Sequence, residues 1–271
     1  MTKKNASFLC LYEFFRLKST FFCNFAAKSN VVIIIASVTI ACAQTRESMK
    51  ENRKETLHQY YYSTKEMDKV SNYIEQQYGE YDLVGHENVS TDIHCDIIVV
   101  PPTEEQPYYK LVTMGAGAYK MNVPKEWRSY VCARAEYVIF LPKDWNLESA
   151  KEEDYWPIRM LKYIARLPIR SDEWLCDSHS VLLTEEGNNI APNAGFNSCV
   201  ILPSTGKNGQ EVKPLKLDLF GKKVAFYQLF PLYPEELEFK LEHSFDELME
   251  RLDASNNMII NINRKNCCHP L

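Results

Sequence analysis

The sequence VAFYQLFPLYPEELEFKLEHSFDELMERL occupies residues 224–252 and combines one strand signal with two helix signals. Residues 224–232 are mostly apolar or aromatic, which is typical of a buried strand. Pro234 stands where a helix can begin, because proline is favoured in the first helical turn, and two glutamates follow it. Ser244 and Glu247 then form the N-terminal signature of another helix. The stretch therefore predicts a strand that is followed directly by two helices.

The residues before this stretch add a hairpin and several strands. Gly221 and the two lysines after it predict a tight turn between a strand at 215–220 and the strand at 224–232. Short runs rich in β-branched and aromatic residues predict the other strands, at 93–100, 108–114, 135–141, 181–183 and 196–202. The run GAGAYKMNVP at 115–124 predicts a loop. It lacks the third glycine and the following helix of a dinucleotide site, so no cofactor is predicted.

Two further helices are predicted from capping signals. Ser63 and Glu66 form a capping box, and apolar residues keep helical spacing up to Gly79, which can close the helix. Ser149 and Glu152 form a second capping box, and the helix after it should end by residue 168, a proline. Runs of strands separated by helices, with no internal repeat and no flexible linker, predict one α+β domain.

The N-terminal region is set apart by its composition. The apolar run VVIIIASVTIACA at 31–43 is shorter than the roughly 20 residues of a membrane-spanning helix and resembles the core of a signal peptide. On that interpretation Cys42 would carry lipid and anchor the protein to a membrane. The alternative is a dispensable leader with a natural start near Met49, and this alternative predicts a cytoplasmic protein. The predicted boundaries are a leader at 1–48, a domain at 49–255 and a C-terminal tail at 256–271.

The charge of the chain indicates which partners are favoured. From residue 49 onward it carries 25 Lys and Arg against 34 Asp and Glu. An acidic body repels phosphate backbones and attracts cationic surfaces. We therefore predict no nucleic-acid binding, and a basic protein is the favoured partner.

The nine cysteines form no CxxC pair and are interpreted as mostly free and buried. Cys176 and His179 are the residue types of a thiolate hydrolase, in which the imidazole activates the thiol. A structural cysteine beside a hydrogen-bonded histidine is the other interpretation, and spacing alone does not select between them. Cys267, Cys268 and His269 lack the spacer of a zinc site, so no metal is predicted and a frayed tail is expected.

Three segments carry a resemblance to a known family. They are the strand and helices at 224–252, the helix EDYWPIRMLKYIARL at 153–167, and DSHSV at 177–181. Together they resemble the suppressor of fused domain family, and weaker agreement at 96–121 and 136–145 extends the resemblance over most of 64–252. The family likeness implies a mixed, twisted β-sheet that is flanked by helices.

The resemblance also implies a function in binding. Animal members grip an extended peptide of a transcription factor, whereas many bacterial members lie beside toxin genes and are inferred to be immunity proteins. The tyrosine and aspartate that grip the peptide in animal members correspond here to Leu167 and Ser178, so that role is not carried over. The resemblance implies a non-enzymatic, bacterial type of module that neutralises a toxin. The cysteine hydrolase and a surface lipoprotein of unknown binding role stay open as alternatives.

A binding surface is predicted around the helix that begins near residue 152. Its apolar stripe must face the sheet, so its polar face turns outward. The partner-binding residues are predicted to border one exposed rim and are Asp154, Trp156, Trp174, Asp177 and His179. In the alternative interpretation Trp156 and His179 are buried packing residues.

Overall fold

A computed structural model describes residues 33–34, 59–88, 90, 92–185, 187–252 and 258–268. These residues form a mixed β-sheet flanked by helices, which confirms the predicted fold class. The strands are β1 (Ile33–Ile34), β2 (Leu83–Gly85), β3 (Asp96–Val100), β4 (Tyr108–Met114), β5 (Ala135–Pro142), β6 (Ser180–Leu182), β7 (Ser198–Pro203), β8 (Leu215–Lys216) and β9 (Lys223–Leu232). The helices are α1 (Thr64–Tyr78), α2 (Glu152–Ser171), α3 (Pro234–Glu242) and α4 (Phe245–Arg251), with 3₁₀ turns at Ala116–Ala118 and Lys125–Trp127.

The strand order of the sheet is β1-β6-β7-β9-β5-β4-β3-β2, and β8 pairs with β9 beside this path. The central pair β5 and β9 is parallel, and so is β1 with β6. All other pairs are antiparallel. Because β5 and β9 run in the same direction, both begin at the same end of the sheet.

Helices cover both faces of the sheet, so the central strands are buried on both sides. In β5, Tyr137 and Ile139 pack in a core with α2, whereas Val138 and Phe140 pack in a second core with α1. Successive strand residues point to opposite faces, and here both faces are apolar. This explains why the β5 and β9 sequences are mostly apolar on both faces instead of alternating, with Glu136 and Gln228 as buried polar exceptions.

Three of the four helices begin where their capping signals predict. The Ser63 backbone N–H and hydroxyl both donate to the Glu66 carboxylate at 3.0 Å, and α1 ends before Gly79. Helix α3 starts at Pro234. The Ser244 hydroxyl accepts the N–H of Glu247 at 3.1 Å at the start of α4.

Helix α2 departs from its prediction at both ends. Ser149 is not the cap: its hydroxyl accepts the Lys151 N–H at 3.2 Å in a turn, and Lys151 is the residue that precedes the helix. At the other end the helix continues through Pro168 to Ser171. Leu167 and Pro168 are both buried, and Leu167 belongs to the core beneath α2, so burial of this turn offsets the N–H that proline lacks.

The strand predicted at 215–220 is shorter than expected. Only Leu215 and Lys216 pair with β9, and residues 217–222 form the hairpin loop. The loop is organised by Asp218, whose Oδ1 accepts the N–H groups of Phe220 and Lys222 at 2.9 and 2.8 Å. These bonds close the chain into a turn before the strand can extend.

The described part of the tail packs on the domain, so the expectation of a frayed tail is wrong for 258–268. Ile260 is fully buried, and its N–H donates to the Phe140 carbonyl at 2.9 Å. Within the described residues the prediction of free cysteines is confirmed. Cys95, Cys176 and Cys199 are buried, and the three others are partly buried.

Candidate protein-binding groove

A groove of about 860 Å³ opens at the end of the sheet where β5 and β9 begin. One wall is the segment 120–134, and the other is the hairpin 214–223. We call this feature the cationic groove. Its walls come from parts of the chain that are far apart in sequence, and the parallel pairing of β5 with β9 brings them together.

Backbone hydrogen bonds tie segment 120–134 to strand β9 and to itself at the base of the groove. The Ala225 N–H donates to the Arg134 carbonyl at 2.9 Å, and the Met121 N–H donates to the Ala133 carbonyl at 2.8 Å. The Arg134 guanidinium also donates to the carbonyls of Gly117 and Ala118. The groove is therefore formed by ordered backbone, although most of segment 120–134 is neither helix nor strand.

Directly behind this base lies a fully buried carboxylate. Glu136 accepts hydrogen bonds from the hydroxyls of Tyr62 and Thr113 at 2.7 and 2.6 Å. It also accepts the backbone N–H groups of residues 115–117 at 3.0 to 3.2 Å. Five donors thus hold one carboxylate. The Glu136 carboxylate in turn fixes the backbone of residues 115–117, whose last carbonyl accepts from Arg134.

The rim of the groove is positively charged. Asp218 is the acidic residue that lines it, and its Oδ1 is already engaged by the hairpin backbone. Lys222 is paired with Glu66. Within the described part of the chain, no ion pair involves the remaining cations of the lining. These unpaired cations are Lys120, Arg128, Arg134 and Lys223.

Exposed apolar side chains surround the same opening. The hairpin tip presents Leu219 and Phe220, which are 100% and 97% exposed, and Tyr130 on the opposite wall is 82% exposed. Trp127, in the same wall, stacks on Trp174 with ring centroids 6.1 Å apart. Clustered exposed apolar groups of this kind mark interaction sites.

This stacking places part of the predicted rim beside the groove. Trp174 contacts His179 edge to face at 4.7 Å, and the imidazole also hydrogen-bonds the Trp174 backbone. Asp177 is exposed, and Trp174 is partly exposed. His179 is buried, which corrects its prediction as an exposed residue. A binding role for Trp174 and Asp177 stays a prediction.

The other two predicted residues lie elsewhere. Trp156 is 0% exposed and packs edge to face against Trp145, so it cannot form an exposed rim. Asp154 is partly exposed near the start of α2, and its carbonyl accepts the Trp145 indole N–H at 2.9 Å. At 1.5 Å per residue, α2 separates Asp154 from the segment after its end by about 25 Å. The predicted single rim is therefore wrong.

Burial of Cys176 and His179 opposes thiolate chemistry. Burial raises the pKa of the Cys176 thiol to about 12, and the thiol donates to the carbonyl of Asp177 at 3.2 Å. Burial lowers the pKa of His179 to about 4. A catalytic pair requires the opposite shifts, a lowered thiol pKa and an imidazole pKa near neutrality.

This chemistry predicts that Cys176 is unreactive in the native protein. Because its pKa is about 12, we expect iodoacetamide to leave Cys176 largely unmodified at pH 7.5, with reaction rising only in alkaline solution. Mass spectrometry of native and urea-unfolded protein measures this, and the unfolded thiol should react with an ordinary pKa near 8.5. Rapid native alkylation at pH 7.5 would revive the hydrolase hypothesis.

Two features bear on cofactors and membranes. In the described ranges no three His, Cys, Asp or Glu side chains are grouped as metal ligands. No helix in the same ranges is long and apolar enough to cross a bilayer. Cys42 and His269 lie outside the described residues.

Sequence reasoning missed the cationic groove. The available signal was the pair of adjacent apolar residues at 219–220 directly before the turn at Gly221, together with the cations of 120–134. Assigning 215–220 to a strand concealed that signal, because strand residues are expected to be covered.

Fold and site together define the class of this protein as a single α+β domain with a mixed sheet and an open, cation-rimmed groove. A comparison with family models identifies it further. The model described as Suppressor of fused protein (SUFU) matches residues 91–265, more than half of the chain, and the chain belongs to this family.

Relatives and solved structures agree with this assignment. The uncharacterized protein UU111 of Ureaplasma parvum serovar 3 is 30% identical over 212 residues, which cover 76% of this chain and 97% of that protein. A suppressor of fused homologue from Neisseria gonorrhoeae superposes with a TM-score of 0.52 at 16% identity, covering 78% of this chain and 98% of its own. A chain of the Sufu–Fu complex superposes with a TM-score of 0.50 at 11% identity, covering 74% and 90%.

Proposed function

We propose that this protein is a non-enzymatic binding module that holds another protein, and that it acts in the cytoplasm as an immunity factor neutralising a cognate toxin. The observation that carries the proposal is membership of the suppressor of fused family in a chain whose surface has an open groove formed by hydrogen-bonded backbone. A fixed backbone with exposed apolar and charged side chains is suited to recognition, because little conformational order must be gained on binding.

Two further considerations support a protein partner. One solved chain with this fold is part of a Sufu–Fu complex, so the fold is compatible with holding another protein. The resemblance to the bacterial type of this family, many of whose members lie beside toxin genes, favours the immunity role over a signalling role. The acidic body attracts a partner of net positive charge over distances longer than a contact.

The pKa values of the cysteine and histidine pair favour binding over catalysis. A thiol with a pKa of about 12 is almost entirely protonated at pH 7 and is a poor nucleophile. The enzymatic alternative therefore lacks an activated group at the one place where the sequence indicated it.

The proposal is tested by co-expression with each toxin-like product encoded beside the gene. We expect one of them to arrest growth alone, to be tolerated when this protein is present, and to co-purify with it at equal stoichiometry. Cys176→Ser is the matched control, and it should protect as well as the natural protein because no thiol chemistry is involved. If no neighbouring product forms a complex and none is neutralised, the immunity function is refuted. Protection that is lost in Cys176→Ser with binding retained would indicate an enzyme.

A further inference from the structure

We propose that the cationic groove binds an extended acidic segment of the partner protein, with Tyr130 and Phe220 covering apolar side chains of that segment. The inference rests on the proposed function, since it names the part of the partner that this groove takes. The net charge of the chain favours a basic partner, whereas the local charge of the groove favours an acidic segment. A partner that is basic overall can still present a short acidic segment.

The first argument is local charge. Four cations line the groove without an ion-pair partner in the described part of the chain, and its one lining carboxylate, Asp218, is already bonded to backbone N–H groups. Arg134 is partly buried and donates to the neutral carbonyls of Gly117 and Ala118, while Glu66 and Asp218 interact with it through space without forming an ion pair. Partly desolvated cations interact more strongly with an anion than fully exposed ones do, because the local dielectric is lower. On a body with net negative charge, this unbalanced positive region favours carboxylates.

The second argument is the exposed apolar surface. Leu219 and Phe220 make no use of their side chains within the fold, since they are 100% and 97% exposed, and Tyr130 is nearly as exposed. Burying such side chains contributes on the order of 25 cal/mol for each Å² covered. The groove lining also includes buried Val123 and partly buried Cys132, which add apolar surface beside Tyr130 and Phe220.

The third argument separates a peptide from other polyanions. A groove of about 860 Å³ suits a short chain segment. A nucleic acid or an anionic membrane would extend beyond the groove over a body with an excess of acidic residues, and both would be repelled there. A peptide that places its acidic residues only within the groove avoids that repulsion.

The test uses charge reversal with a matched control. The groove variant is Lys120→Glu, Arg128→Glu and Lys223→Glu, three exposed positions. The control variant is Lys143→Glu, Lys151→Glu and Lys207→Glu, which are also exposed and do not line the groove. Both variants change the net charge by the same amount. Thermal unfolding should show that both stay folded, since none of these side chains is buried.

Fluorescence anisotropy measures binding of a fluorescein-labelled probe peptide, DEFEDLEDE, at low and moderate salt. We expect the natural protein to bind it, the groove variant to bind at least tenfold more weakly, and the control variant to stay within twofold. The basic analogue KKFKKLKKK should not bind. Phe220→Ser should also weaken the complex without lowering stability. Absent binding of the acidic peptide, or equal loss in both charge variants, overturns the proposal.

Two further probes separate the alternatives. These probes are a ten-nucleotide oligothymidine and vesicles containing 30% phosphatidylserine. If either binds more strongly than the acidic peptide, the peptide proposal is overturned and that class of ligand takes its place. In the toxin assay the groove variant should lose protection and the control variant should keep it. If the groove variant protects as well as the natural protein, the groove inference fails and the immunity function stands. If the natural protein neutralises no toxin but binds the acidic peptide selectively, the immunity function fails and the groove inference stands.

Discussion

Replacing Arg264 with methionine is expected to lower the free energy of unfolding by about 3–5 kcal/mol, because a buried carboxylate loses its counter-ion. Glu236 has no exposed side-chain surface, and both of its oxygens accept from the Arg264 guanidinium at 2.5 Å. The guanidinium also lies over the ring of Tyr233 at 4.7 Å and close to two phenylalanine rings. Methionine retains much of the packing and none of the charge.

Urea unfolding followed by circular dichroism measures this change. The control is Lys213→Met, which breaks an exposed pair with Glu211 and should change the free energy of unfolding by less than about 1 kcal/mol. The double variant Glu236→Gln with Arg264→Met should recover part of the loss, because the buried charge is then gone. A loss below about 1 kcal/mol in Arg264→Met would show that this ion pair does not fasten 258–268 to the domain.

Local signals in the sequence predicted the helix starts that depend on capping hydrogen bonds. The boxes at Ser63 and Ser244 are satisfied by residues within one turn of helix, so they form without help from distant residues. The end of α2 shows the opposite case. Proline disfavours a continuing helix locally, yet Leu167 and Pro168 are both buried, and burial outweighs the lost hydrogen bond.

The candidate site was less accessible to sequence reasoning because it is non-local. The Arg134 carbonyl meets the Ala225 N–H only because β5 and β9 are parallel neighbours, and no periodicity reports that pairing. The error at Trp156 has a different origin. Helical spacing gives the angular position of a residue, but it does not indicate that Trp145 and Phe196 will enclose the ring. The Arg264 pair likewise joins two segments that share no sequence pattern.

Replacing Glu136 with glutamine is expected to lower the free energy of unfolding by about 3 kcal/mol. All five contacts to its oxygens are donors, two hydroxyls and three backbone N–H groups. A glutamine amide puts an NH₂ group against some of those donors, and buried donors without acceptors cost about 1–3 kcal/mol each. The turn itself requires glycine at 115, because its φ is 129° and a Cβ there would lie 1.8 Å from the His94 carbonyl oxygen.

The protonation state of Glu136 determines the size of this effect. Burial raises the pKa of its carboxyl, whereas the hydrogen bonds from Thr113, Tyr62 and the two glycine N–H groups oppose that rise by favouring the ionised form. Because every contact is a donor, we infer that the ionised form is present at neutral pH. Glutamine resembles the protonated acid, so a change below about 1 kcal/mol would contradict this inference and indicate a neutral carboxyl.

A matched exposed position isolates the effect of burial. Glu126→Gln removes the same charge in the groove wall, where the side chain is exposed, and should change the free energy of unfolding by less than about 0.5 kcal/mol. Urea unfolding at pH 7 compares the two variants directly. A large loss confined to Glu136→Gln would mean that a buried anion fixes the 115–117 turn against which Arg134 is held. Equal losses in both variants would assign the effect to net charge and remove Glu136 as the anchor of the groove.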